Sequence, residues 1–123
     1  MARTSSAPDV VVWHNPRCTK SREALAWLEE RGISPTIVRY LDTPPSADEI
    51  ERVLGLLGVE PRALMRKKEA PYRDLALDDA SRTRGELVRA MAAHPILIER
   101  PVVIRGGAAV IARPTERIAD LLR

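Results

Sequence analysis

The chain has 123 residues, 45% of them hydrophobic and 30% charged, with a formal net charge of +3. That length and composition describe one globular domain, able to bury about two-thirds of its unfolded surface. No apolar run approaches the roughly 20 residues that span a bilayer. Two Trp, two Tyr and no Phe, set among interleaved acids and bases, give neither the stacking platform nor the basic stripe of a nucleic-acid binder.

Residues 1–9 lack the apolar core of a signal peptide and read as a flexible leader, leaving 10–123 as a single domain. One cysteine permits no intramolecular disulfide, which suits a reducing, cytoplasmic setting. The positive charge is lopsided, 17 Arg against 3 Lys. Genome composition accounts for that as readily as function does, although a guanidinium fork matches an oxyanion better than an ammonium.

Val10–Trp13 is β-branched and uncharged and reads as a short buried strand. After the stretch His14–Arg22, which holds Cys18, the segment Glu23–Gly32 reads as a helix ended by glycine. Residues 36–41 read as a second strand, so the opening is a βαβ unit with parallel strands. Ser46 caps a helix over 47–57, with Glu49 completing a capping box and Gly58 ending it. A short helix is expected over 61–68, with no firm structure over 69–82. Thr83 and Glu86 then open another helix that ends at His94-Pro95. Residues 100–104 start a third strand, Gly106-Gly107 turns into a fourth over 108–112, and Pro114 opens a last helix. This order predicts an α/β fold, a thioredoxin/glutaredoxin-like mixed four-stranded sheet (βαβ…ββα) with a helical segment inserted over about 46–93. In such folds a proline before the third strand lies beside the reactive cysteine, often with a cis bond; here it is Pro101.

The chemistry centres on Cys18, which falls at a helix start where unpaired N–H groups and the helix dipole favour a thiolate or a bound anion. Lys20 and Arg22 occupy that first turn and Arg17 precedes it, with no acid before Glu23. Cations there oppose the dipole by about 0.3–1 kcal/mol each, which points to a negative group nearby. A buried structural cysteine is the bland alternative. Cys18-Thr19-Lys20-Ser21 is a C-x-x-S pattern, so turnover would need an external thiol. A C-x5-R phosphatase fails because Ala24 stands where Arg is required. One Cys and two His fall short of the usual zinc set, so no metal is expected. His14 either pairs with the thiol or hydrogen-bonds the loop, and His94 reads as a helix-terminal residue. Arg66, Arg100 and Arg113 each read singly as surface residues; spacing does not decide whether they converge.

The motif His-Asn-Pro-x-Cys-x-x-Ser-Arg, the block Val59–Lys67, the run His94–Pro101 and Arg113-Pro114 together resemble the ArsC-type arsenate reductases that work with glutathione and glutaredoxin. The resemblance covers residues 10–122 in one register. It implies that Cys18 attacks arsenate, that Arg66, Arg100 and Arg113 hold the oxyanion, and that His14, Ser21, Arg22 and Pro101 support the thiol. It implies no bound cofactor, glutathione as co-substrate and glutaredoxin as protein partner, in a cytoplasmic monomer. Thr19, where many relatives carry Gly, departs from the commonest motif. Two other readings belong to the same family: a glutathione-dependent thiol oxidoreductase with another substrate, and a non-catalytic regulator binding RNA polymerase. The latter commonly uses a C-x-x-C switch that Ser21 removes here.

Overall fold

A computed structural model describes residues 10–122; the expected leader, 1–9, lies outside the described residues. The chain divides into two compact units, one made of the segments up to Arg39 and from Arg100 onward, the other of Tyr40–Glu99.

The first unit holds the whole sheet, in the order β2-β1-β3-β4. Strand β1 (Val10–Trp13) pairs parallel with β2 (Thr36–Val38) and antiparallel with β3 (Val102–Arg105), which pairs antiparallel with β4 (Ala108–Ile111). The mixed four-stranded sheet of a thioredoxin-like fold is therefore present. Period-2 alternation sends Val10, Val12, Val103 and Val110 to one face. There they meet Ala24 and Leu28 of helix α1 (Thr19–Glu30), together with Ile118 and Leu121. Trp13, Val102 and Ile104 are buried as well, so β1 and β3 need apolar residues on both faces, as their unbroken β-branched runs suggested.

Strand β2 stops at Val38, three residues short of the expected end. Its partner explains this: β1 offers Val11, Val12 and Trp13 and then turns into the cysteine loop, so nothing extends the ladder beyond one further bond, His14 N–H to the Val38 carbonyl at 2.8 Å. The last helix is a 3-10 segment over Thr115–Leu121, with Pro114 just outside it. The peptide bond before Pro101 is cis, as expected, and so is the one before Pro114.

The second unit is helical. Helix α2 (Ala47–Leu57) starts where the Ser46 hydroxyl accepts the Glu49 N–H and stops at Gly58, whose φ of 69° is left-handed. Helix α3 (Ala70–Asp74) lies in the stretch left without firm structure, where Arg62 donates to the Leu77 and Asp79 carbonyls and holds the following turns. Helix α4 (Arg84–Ala93) opens with the full Thr83/Glu86 capping box, and Arg84 grips Glu51 of α2 with bonds of 2.7 and 2.9 Å. The helix expected over 61–68 is only a 3-10 turn, Pro61–Leu64. Met65 leaves it to bridge Ile98, while the Arg66 N–H bonds the Leu97 carbonyl at 2.7 Å: a tertiary pairing outcompetes the local helix.

Leu28, fully buried against the sheet, gives the stability test. Leu28→Ala should cost about 2–5 kcal/mol in urea unfolding, through lost burial and the cavity left behind. Thr83→Ala should cost about 1 kcal/mol, because only a cap is removed.

Candidate active site around Cys18

The site is built by the loop that joins β1 to α1. Cys18 is the N-cap of α1, the position usually given to Ser, Thr, Asp or Asn, and its backbone is extended as a cap requires. Asn15 organises the approach. Its side-chain oxygen accepts the Arg17 N–H at 2.9 Å and its carbonyl accepts the Cys18 N–H at 3.0 Å. The Asn15 N–H is donated to the Ser21 hydroxyl at 3.0 Å, and the same hydroxyl is hydrogen-bonded to His14 Nδ1 at 2.7 Å. His14, Asn15 and Ser21 are all buried, so these bonds act in a region of low dielectric.

Cys18 itself is partly exposed. Burial pushes its thiol up, but the opposing influences prevail: a hydrogen bond from the Arg100 side chain, the backbone N–H groups of Ser21 and Lys20, and the Arg100 charge hold it below its ordinary value. The sulfur thus stands where a capping oxygen would, and its thiolate form answers the positive helix end. His14 is also held below its ordinary value, by burial first and then by the charges of Arg39 and Arg22. Its Nδ1 is engaged by the Ser21 hydroxyl of α1, a partner named by neither of the two readings of His14, the thiol or the loop backbone.

The register of the β3–β4 hairpin decides a question that spacing left open. Pairing Val102 with Ile111, and continuing through the Ala112 N–H to the Pro101 carbonyl at 2.9 Å, puts Arg100 opposite Arg113. Pairing Trp13 with Val102 carries Arg100 toward the start of the cysteine loop. Arg113 reaches the Arg100 carbonyl at 3.5 Å. The two guanidinium-bearing residues thus stand across from each other at the end of the β3–β4 hairpin. Pro101 is buried at the foot of the same strand.

Lys20, Arg22 and Arg66 have partners of their own. Lys20 lies 3.5 Å from Glu23, and Arg22 donates to the Pro16 carbonyl at 2.8 Å and to the Thr19 hydroxyl at 3.3 Å. These contacts offset part of the repulsion at the helix start. The Arg22 contact also shows the Thr19 side chain taken up on the outer side of the turn. Arg66 belongs to the Tyr40–Glu99 unit, where its guanidinium is clasped by Glu99 at 2.9 Å and Glu69 at 3.3 Å. His94 is the exposed C-terminal cap of α4. Among the described residues, no group of three or more His, Cys, Asp and Glu is arranged to hold a metal, and no helix is long and apolar enough to cross a membrane.

Three residues escaped the sequence reading: Asn15, and the carboxylates of Glu69 and Glu99. The Asn-Pro pair was a legible turn signal, since Asn side chains bond the backbone two residues on. Nothing local marks Glu99, 33 residues from its partner.

Because the folded thiol titrates below its ordinary value, the thiolate contribution to stability grows as pH rises through the folded value toward the unfolded one. Alkylation of Cys18 should show the same midpoint, below that of a free cysteine. Arg100→Gln should move it upward, by about one pH unit for a charge-assisted bond; an unmoved midpoint would remove Arg100 from the thiol's environment.

The sequence model of the ArsC family matches residues 13–121. An arsenate reductase of Neisseria meningitidis is 46% identical over 116 residues, 94% of this chain and 99% of the relative. The Escherichia coli protein YfgD, described as uncharacterised, is 44% identical over 92% of this chain and 96% of its own length. The solved structure of an arsenate reductase from Vibrio cholerae superposes with a TM-score of 0.91 at 48% identity, covering 93% of this chain and 98% of the other. With its matched span running from the end of β1 to the last helical turn, the chain belongs to the ArsC family.

Proposed function

We propose that this protein is an arsenate reductase that uses glutathione and glutaredoxin. One observation carries the reading: Cys18 caps the N-terminus of α1 with its thiol held below its ordinary value by the Arg100 side chain, and Arg113 stands opposite Arg100 in the hairpin. The similarity to relatives named arsenate reductase supports the choice of oxyanion.

In this reading the Cys18 sulfur attacks arsenic and an arsenate oxygen leaves as water, with its charge met by Arg100 and Arg113. The family resemblance implies an oxyanion role for Arg66 as well. Glutathione then displaces a second oxygen as water. A glutaredoxin thiolate attacks the glutathione sulfur, taking it away as a mixed disulfide, and the As–S electron pair stays on arsenic. Arsenic passes from As(V) to As(III), and hydrolysis of the Cys18–arsenic bond releases arsenite and the free thiol. An external thiol is required because Cys18 is the chain's one cysteine. No cofactor is bound in this scheme; the enzyme works as a monomer in the cytoplasm.

The test is arsenate-dependent NADPH oxidation with glutathione, glutaredoxin and glutathione reductase. Activity should vanish in Cys18→Ser. Arg100→Lys should lose about tenfold or more in kcat/KM, because the bidentate fork is gone while the charge remains. A wild-type protein no faster than Cys18→Ser would overturn the arsenate reading. Reduction of glutathione mixed disulfides in that case would favour a thiol oxidoreductase with another substrate.

A further inference from the structure

The family motif contains Asn15, yet the scheme above gives it no task. Asn15 is 5% exposed and spends three of its polar groups on the cysteine loop. Its side-chain oxygen takes the Arg17 N–H, its carbonyl takes the Cys18 N–H, and its own N–H goes to Ser21. The effect is a division of donors. At the start of a helix several N–H groups lack intrahelical partners and compete for any acceptor nearby. Asn15 removes those of Arg17 and Cys18 from that competition, and it fixes the loop to the third residue of α1.

We propose that Asn15 is a positioning residue for the nucleophile: by closing the turn over Pro16 and engaging Ser21, it fixes Cys18 at the N-cap of α1. The proposal rests on the reading of Cys18 as nucleophile, but not on arsenate being the substrate. The Asn side chain suits the task because its oxygen forms the same turn that a backbone carbonyl would, without adding a charge beside a thiolate. Aspartate would form that turn too, yet it would bring a second negative group to the loop. The charged and titratable groups facing this loop are Arg100 ahead of β3, Lys20, Arg22 and Glu23 on α1, Arg39 after β2, and His14. Glu23, the one acid among them, is paired with Lys20, and an Asn15 variant removes none of these groups, so a shift caused by loosening the loop is separable from one caused by losing a charge.

The experiment is the pH dependence of Cys18 alkylation by iodoacetamide in the full chain, with circular dichroism as the control for folding. Asn15→Ala should raise the midpoint by about half a unit to one unit. Asn15→Ser, whose hydroxyl makes the weaker version of the turn, should recover part of the shift. Asn15→Asp should raise the midpoint further than Asn15→Ser although it keeps an acceptor in place. If Asn15→Ala fails to fold, the ordering of the Ser and Asp variants carries the test. A folded Asn15→Ala with the wild-type midpoint would overturn the proposal, and so would Asp and Ser variants with equal midpoints. Arsenate turnover, measured in parallel, separates this from the function: loss of arsenate activity in the wild type leaves the alkylation ordering unaffected.

Discussion

Helix α1 begins on a sulfur, and the rest of the site follows from that. An α-helix leaves its first N–H groups without partners, and most chains satisfy one with a side-chain oxygen at the cap. Here the cap is Cys18, so the amides of Lys20 and Ser21 act on a group that gains by ionising. A thiol answers a helix dipole weakly and a thiolate answers it well, which couples the start of the helix to the reactivity of the cysteine. The Arg100 hydrogen bond, these amides and the Arg100 charge together outweigh the cost of partial burial.

The rigidity needed to keep that arrangement comes from the packing on either side. Ala24 and Leu28 fasten α1 to the sheet by its inner face, and Ser21, on the same face one turn earlier, is fully buried. Its hydroxyl satisfies Asn15 and His14 at once, so the polar end of the helix contact is paired as completely as the apolar end is packed. Arg22, one residue on, faces outward and ties the Pro16 carbonyl to the first turn. Loop and helix are thereby tied together on both sides of Cys18.

Much of this was legible in the residues. The β-branched run before the loop, the glycine stops, the Ser46 and Thr83 caps and the Gly106-Gly107 turn each act over a few residues, and each formed where expected. What failed did so where distant partners prevailed. The segment after Pro61 has helical residues, but Met65 and Arg66 find a strand-like partner at 97–98. The three cations at the helix start suggest a nearby anion, yet two of them are met locally, Lys20 by Glu23 and Arg22 by the Pro16 carbonyl.

The sequence by itself determined where the thiol would sit, because a strand, a turn signal and a helix start are written locally around Cys18. It determined also that this cysteine has no internal resolving partner, since there is no second one. Only the tertiary structure decided which arginine serves the sulfur. Arg100 is 82 residues away in the chain, and it meets Cys18 because antiparallel pairing of β1 with β3 carries it there, with Arg113 opposite it through β4. Register is a property of paired strands, so no single segment contains it. The same holds for Arg66: the family resemblance makes it an oxyanion arginine, while its immediate partners, Glu69 and Glu99, were set by the ladder that folds 64–66 onto 97–99.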